Sequence, residues 1–548
     1  MPTTPEPLSQ SKKPFSLNLV QFCLSFSILL AALYNQPLWR IVSAEFSADD
    51  FTSLLSFSAF AVFLVLIFSV CLTLIFFRYS AKPLALLLII SSASASYFMS
   101  NYGIVFDKSM IQNLLETDPA EVQELLNVGM LSYFSLYAIL PGLLVLWLPL
   151  NYHPLLKELK FKCISALAFA SLAVLITAAF YQDFSSLFRN NREMRNTVIP
   201  SSFIYYTSRY LSGAYAVMNV VAQPIGEDAV QTATNTVKPK LTILVIGETA
   251  RAQNFSLNGY ERETNPKLKQ QQIFNFSDTS ACGTTTAISL PCMFSLYNKD
   301  GFTSEKSEAQ HNLLDVLDTA GVNVLWRDNN SGCKGVCERI ETQPAQAYRN
   351  EQYCNQRECF DQVMLNDLDS YLDKQQGDVT VVLHQKGNHG PAYFLRYPES
   401  FKQFTPVCTT SQLQQCQQQS IVNAYDNAIL YTDHFLSAVI DYLKDRQDRY
   451  RGAMLYMSDH GESLGENNLY LHGLPYFIAP KTQTQVPFIL WLSQSFSDSD
   501  KLDRQCITDK QQQQMSHDNL FHSMLGLLSV RSSVYNQQLD MLASCRDQ

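Results

Sequence analysis

The segment Ser458-Asp459-His460-Gly461-Glu462-Ser463 sets a carboxylate beside an imidazole, directly after the apolar run Gly452-Ala453-Met454-Leu455-Tyr456-Met457. Such a run reads as a buried strand that ends in Asp-His and turns at glycine. Strand ends are where α/β folds place ligands, and adjacent Asp and His can offer an oxygen and a nitrogen to one zinc ion. A polar turn after a strand is the bland alternative, and short motifs often match by chance. Two further runs repeat the pattern. Leu241–Gly247 ends in Glu248, and Asp378–Leu383 ends in His384 and continues to His389. Three core strands carrying metal-type residues at their carboxyl ends are more than packing requires.

A second reacting segment is Ser280-Ala281-Cys282-Gly283-Thr284-Thr285-Thr286-Ala287-Ile288-Ser289-Leu290-Pro291-Cys292. It reads as a glycine turn entering a helix. A hydroxyl there sits among backbone N–H groups that favour a phosphate, although Ser and Thr are also ordinary helix caps. A Cys282/Cys292 bridge would pin the segment. The residues alone do not choose among the hydroxyls of Thr284, Thr285 and Thr286.

The elements that must position these groups alternate along the second half. Strands are predicted at 241–247, 322–326, 378–383, 453–457 and 486–491, with helices at 420–443 and 516–528. This alternation predicts an α/β layered domain on a mainly parallel sheet over 241–548. The stretch 182–240 reads as a bridging linker, with an aromatic, amphipathic segment at 201–212 suited to a membrane interface and Lys238-Pro239-Lys240 marking its end. Gln-rich stretches at 412–419 and 511–514 read as surface. There is no internal repeat.

Residues 1–181 are of another kind. Five apolar runs, near 16–34, 54–77, 83–100, 128–150 and 163–181, contain almost no charge. Each is long enough for a bilayer, which takes roughly 20 residues, and buried helices of a soluble protein usually keep a polar face. No small-residue cleavage site follows the first run. Lys12, Lys13, Arg78, Lys82, Lys157, Lys160 and Lys162 mark the cytoplasmic side. The opposite loops carry Glu45, Asp49, Asp50, Asp107, Glu116, Asp118, Glu121 and Glu124 against only Arg40 and Lys108. An odd number of spans then puts everything after 181 outside the cytoplasm. The net charge of −9 and the lack of a basic block speak against nucleic acid.

Cysteine usage agrees. Cys23, Cys71 and Cys163 fall in or beside the spans, and the other ten lie after residue 281. An even count in an exported half suggests disulfides. The close pairs are Cys282/Cys292, Cys333/Cys337, Cys354/Cys359 and Cys408/Cys416, leaving Cys506/Cys545. Spacing alone does not fix the connectivity, and a zinc-ribbon use is disfavoured because no C-x₂-C occurs.

Taken together, Glu248-Thr249-Ala250-Arg251-Ala252, Cys282-Gly283-Thr284-x-Thr286, His384-Gln385-x-Gly387-Asn388-His389-Gly390-Pro391 and Ser458–Ser463 resemble the lipid A phosphoethanolamine transferases. That family includes the mobile colistin-resistance enzymes and belongs to the alkaline phosphatase superfamily. The resemblance covers nearly the whole chain. It implies five transmembrane helices, a sulfatase-like periplasmic domain and zinc, one or two ions per chain. It places the nucleophile at Thr286 and the zinc ligands at Glu248, Thr286, Asp459 and His460. Zinc would stabilise the threonine alkoxide, and a covalent intermediate would split one transfer into two steps.

The same resemblance puts Asn330, Ser331, Lys334, His389 and His472 in the substrate site. Lys334 would face phosphate, and the two histidines would serve the leaving or incoming oxygen or a second metal. His384 would support the site from behind, and His517 and His522 would sit in a structural helix. The Cys333/Cys337 pair around Lys334 departs from many colistin-resistance relatives and would stiffen that loop. Asn113, Thr117 and Glu121 match family positions near the lipid-facing site. Their i, i+4, i+8 spacing shares one helical face, unless Thr117-Asp118-Pro119 restarts the helix. The implied activity takes phosphatidylethanolamine as donor, releases diacylglycerol and modifies lipid A in the inner membrane of a Gram-negative cell, giving polymyxin resistance. A monomer is expected. A core sugar or a protein as acceptor, a phosphoglycerol transferase, a sulfatase-like hydrolase and a non-catalytic scaffold or receptor are the rival readings.

Overall fold

The computed structural model describes residues 16–46, 50–117, 119–217, 220–232, 238–355 and 358–546. Lys12, Lys13, Asp49 and Asp118 lie outside them, and of Glu121 only the backbone is described. The chain forms two compact units, Met1–Asn101 with Val128–Tyr205, and Tyr102–Asn127 with Tyr206–Gln548. The loop between the third and fourth apolar runs therefore belongs with the C-terminal half. The boundaries expected at 181 and 240 do not coincide with this division.

In the first unit the helices are α1 (Leu19–Tyr34), α2 (Gln36–Glu45), α3 (Phe51–Ile75) and α4 (Ala81–Tyr102). Two short helices of the other unit follow, α5 (Lys108–Glu116) and α6 (Pro119–Leu125). The apolar series then resumes with α7 (Val128–Trp147) and α8 (Leu155–Ala179). Four of these, α3, α4, α7 and α8, are each long and apolar enough to span, and a fifth span results if α1 and α2 count as one. The first expected span, 16–34, corresponds to α1, and the chain bends by 77° into α2 just beyond it. The cause is local. Pro37 sits in the first turn of α2, where its missing N–H costs nothing. Buried Asn35 at the break donates to Leu30 O at 2.9 Å and to Ile199 O at 2.8 Å, and accepts from Ile199 N–H. The first of these bonds satisfies a carbonyl group that the ended helix leaves open.

Leu87, Ile90, Leu143, Leu167 and Val174 project outward from these helices, as lipid-facing side chains do. At one end of the unit, Lys162 Nζ donates to Phe76 O at 2.7 Å and Lys82 Nζ to Leu146 O at 2.8 Å. Cations at helix carboxyl ends are favourable, and these are the lysines that the charge count assigns to the cytoplasmic side.

The second unit is built on a seven-stranded sheet. In chain order its strands are β1 (Lys240–Gly247), β2 (Ile273–Phe276), β3 (Asn323–Asp328), β4 (Glu341–Pro344), β5 (Val379–His384), β6 (Arg451–Ser458) and β7 (Phe488–Leu492). Their spatial order is β2-β7-β6-β1-β5-β3-β4. All pairings are parallel except those of β7. The sequence pattern missed β2 and β4, which are short edge-side strands of mixed polarity. Central strands read as unbroken apolar runs because both sheet faces are covered. Ile243, Leu244, Val245 and Ile246 are all fully buried, and each such side chain contributes about 1.5–3 kcal/mol. This makes the middle of the sheet the rigid base for whatever sits at its end.

The helices completing the description are α9 (Tyr181–Asn190), α10 (Ser201–Val217), α11 (Thr286–Phe294), α12 (Gln418–Lys444) and α13 (Asp518–Leu527). Disulfides join Cys282–Cys292, Cys333–Cys337, Cys354–Cys359, Cys408–Cys416 and Cys506–Cys545. Cys23, Cys71 and Cys163 are free.

Candidate active site

Register assembles the site. Ser458 pairs with Gly247 across β6 and β1, and Ile246 pairs with His384 across β1 and β5. The next residues, Glu248 and Asp459, therefore leave neighbouring strand ends side by side. A slip of one residue would turn every side chain to the opposite face. The return loop after β5 then packs against Glu248. Asn388 N–H donates to Glu248 O at 3.0 Å, and Gly387, at φ +53°, lies where a Cβ would come within 2.7 Å of that oxygen. Only glycine fits there.

Glu248, Asp459 and His460 are buried, with donor atoms within 4.8 Å of one another. His460 Nε2 lies 3.3 Å from Asp459 Oδ2 and 3.6 Å from Glu248 Oε1. Thr286 Oγ1 joins them, at 3.1 Å from Glu248 Oε2 and 3.3 Å from His460 Nε2. Tetrahedral zinc with bonds near 2.0–2.1 Å sets its ligand atoms roughly 3.3 Å apart. The spacing fits that ion. Two further features fit as well. Asp459 Oδ2 is buried without a hydrogen-bond partner, while Oδ1 accepts from the N–H groups of Thr249 and His460. His460 Nδ1 lies 2.9 Å from Gly461 O. A proton on Nδ1 leaves Nε2 as a lone-pair donor.

The three threonine hydroxyls now differ. Thr284 Oγ1 donates to Leu474 O at 2.7 Å. Thr285 precedes α11 as its cap residue, and its hydroxyl makes no hydrogen bond. Thr286 opens α11 and is the one that faces Glu248 and His460. The Cys282–Cys292 bridge and a bond from Gly283 N–H to Ser289 Oγ, 2.9 Å, close the turn before it.

Around this cluster, the His472 ring centre is 4.3 Å from that of His460 and 6.0 Å from that of His389. Burial holds the His389 and His472 imidazoles below their ordinary value, so both are neutral near pH 7. Asn330 Nδ2 donates to Glu248 Oε2 at 2.7 Å. Lys334, at φ +50°, donates through Nζ to Ser331 O and to Glu116 O, each at 3.2 Å. His384 Nδ1 meets Asp328 Oδ2 at 3.1 Å, behind Asn330.

The single helical face expected for Asn113, Thr117 and Glu121 does not form. Helix α5 stops at Glu116, Thr117 is extended at its cap, and Pro119 opens α6, as a proline readily does at a first helical position. Thr117 Oγ1 donates to Asn113 O at 2.7 Å. What does reach α11 is Gln112, buried, whose Nε2 donates to Ala287 O at 3.3 Å. His522 stands apart, accepting from Asn536 N–H at 3.1 Å.

His517 is not inside the helix, as the sequence suggested, but at its cap. It is fully buried, accepts from Cys282 N–H at 3.1 Å through Nδ1, and donates through Nε2 to Ser458 O at 2.9 Å. It thereby ties the threonine turn to the end of β6. Burial lowers its pKa to about 3. Between that value and its ordinary 6.5 the unfolded chain binds a proton that the folded chain refuses, so stability is lost as pH falls through this window. Thermal midpoints of the detergent-solubilised chain should therefore fall with pH from 6.5 towards 4. His517→Gln should lower stability at pH 7 and flatten that slope by about one proton, ~1.4 kcal/mol per pH unit. An unchanged slope would show that this histidine is protonated in the fold.

A helix-flanked, mainly parallel sheet with carboxylates and imidazoles gathered at its carboxyl end, beside a hydroxyl that opens a helix, defines the alkaline phosphatase class. Residues 240–530 match the sulfatase family, and residues 64–215 match the family described as phosphoethanolamine transferase EptA/EptB. The chain is 40% identical to phosphoethanolamine transferase EptA of Escherichia coli (strain K12) over 98% of both chains. It is 40% identical to phosphatidylethanolamine transferase Mcr-1 of Escherichia coli, over 85% of this chain and 88% of that one. Its structure superposes on the integral membrane protein lipooligosaccharide phosphoethanolamine transferase A of Neisseria meningitidis with a TM-score of 0.94, at 34% identity, covering 97% of this chain and 100% of that one. The chain belongs to the EptA family of phosphoethanolamine transferases. It is an inner-membrane protein of the Gram-negative envelope, with its catalytic unit in the periplasm.

Sequence reasoning singled out neither Thr249, Gln112 nor Tyr425. The first two lie beside chosen residues, and nothing in the chain marked the third.

Proposed function

We propose that this transferase takes phosphatidylethanolamine as donor, carries phosphoethanolamine on Thr286, and delivers it to a phosphate of lipid A, acting as a monomer. The observation that carries the reading is the placement of Thr286 Oγ1, 3.1 Å from Glu248 Oε2 and 3.3 Å from His460 Nε2. Glu248, Asp459, His460 and Thr286 are the residues that would hold zinc. When bound, zinc supplies a Lewis acid that favours the alkoxide of the hydroxyl and offsets charge on phosphoryl oxygens.

The remaining chemistry belongs to the chain. Thr286 Oγ attacks phosphorus as its proton passes to a neighbouring imidazole, the bond from phosphorus to the glycerol oxygen breaks, and that oxygen takes the proton as diacylglycerol leaves. His389 and His472 border the cluster as the groups that move protons on the leaving and incoming oxygens. An acceptor phosphate oxygen then attacks the same phosphorus, and Thr286 Oγ is released. Lys334 would offer a charge to the phosphate, and Asn113, Thr117, Asn330 and Ser331 would serve the donor. Similarity to a lipooligosaccharide phosphoethanolamine transferase supports a phosphorylated glycolipid as acceptor. Adding an ammonium group there reduces the negative charge that attracts polymyxins, which is the route to resistance.

Mass spectrometry of lipid A from cells with and without the protein tests the acceptor. Phosphoethanolamine on lipid A phosphate is the expected result. Unmodified lipid A with the group on a core sugar or a protein would overturn the acceptor while leaving the donor half standing.

A further inference from the structure

Thr249 follows Glu248 at the end of β1 and adopts φ +57°. Branched side chains rarely take that conformation. It persists where surrounding contacts over-determine it, and three do so here. Thr249 N–H donates to Asp459 Oδ1 at 3.0 Å. Its Oγ1 donates to Glu248 Oε1 at 2.5 Å. Its carbonyl accepts from the Tyr425 hydroxyl at 2.7 Å, and that hydroxyl accepts in turn from Arg251 N–H at 3.0 Å. Thr249 and Tyr425 are both fully buried. Tyr425 comes from α12 and is braced edge-on by Tyr393, ring centres 5.4 Å apart.

We propose that Thr249 is a positioning residue for the metal carboxylates, and that Tyr425 is the clamp that keeps its backbone in the left-handed conformation. One residue thus orients both acids, Asp459 through its backbone N–H and Glu248 through its hydroxyl. With Oδ1 engaged, Asp459 keeps Oδ2 for the ion. Hydrogen bonds to ligating carboxylates commonly set metal affinity by 10–100-fold, and holding the donors in place before the ion arrives is how they do so. Tyr425 adds a link that runs from the long buried helix to the strand end without touching the cluster itself.

The inference rests on the zinc reading above, and its test separates the two. Zinc affinity is measured by chelator competition on the purified full-length chain, with thermal midpoints of the metal-free proteins alongside. Thr249→Gly removes the hydroxyl but accepts the positive φ freely, so its metal-free midpoint should equal or exceed the parent's. Its zinc affinity should nevertheless drop by about 10–100-fold. Thr249→Ser keeps the hydroxyl and should bind within a few-fold of the parent, whereas Thr249→Ala should be as weak as the glycine variant. Tyr425→Phe should shift affinity in the same direction. A glycine or alanine variant with parental affinity, or a serine variant as weak as alanine, would overturn the positioning role. A parent chain that binds no zinc would instead overturn the metal reading from which it starts.

Discussion

Thr286→Ala is expected to abolish both diacylglycerol release and lipid A modification. Loss of an essential nucleophile costs roughly 10⁶ in rate in the best-studied hydrolase case, and no neighbouring hydroxyl stands ready to replace this one. Thr284 is committed to Leu474 O, and Thr285 faces neither Glu248 nor His460 through any hydrogen bond. Of these three threonines, Thr286 alone brings its Oγ1 to both the Glu248 carboxylate and His460 Nε2. The variant should still bind zinc through Glu248, Asp459 and His460, though more weakly. Thr285→Ala should keep substantial activity. Intact mass after incubation with phosphatidylethanolamine, followed by peptide mapping, reads the outcome. An adduct on another residue, or turnover by the alanine variant, would refute the assignment.

The second large effect concerns the acids and the imidazole. Asp459→Ala and His460→Ala should each lose most of the bound zinc, and transferase activity with it. Glu248 and Asp459 leave adjacent strand ends and are wholly buried, and burial without a compensating cation is costly for carboxylates. Zinc should therefore raise the thermal midpoint of the parent chain. Asp459→Ala should melt at one temperature with or without zinc, because it keeps the hydrophobic sheet and loses only the ion. Metal analysis together with melting curves in chelator checks this. Full zinc occupancy in both variants would place the ion elsewhere.

Much of the fold was legible because its signals are local. Uncharged runs of bilayer length announce membrane helices, since a helix satisfies every backbone polar group within its own segment. Unbroken apolar runs announce central parallel strands, since both faces are buried. The ends of those runs named Glu248, His384, Asp459 and His460 in advance. The choice of Thr286 from three adjacent threonines came from family resemblance and not from the residues themselves. Three features escaped. Strands β2 and β4 are short and mixed in polarity, so no period marks them. The bend between α1 and α2 is stabilised by Asn35 through Ile199, a partner 164 residues away.

The sequence by itself determined which groups could do chemistry and which stretches would be buried, because residue type and short-range pattern carry that information. Only the tertiary structure decided which of those groups meet. Strand register brings Glu248 beside Asp459. A disulfide-closed turn and a buried His517 aim Thr286 at them. The strained turn at Thr249 is held by Tyr425, 176 positions away. Distances between groups so far apart in the chain are set by packing of the whole sheet and its helices, and no local pattern encodes them.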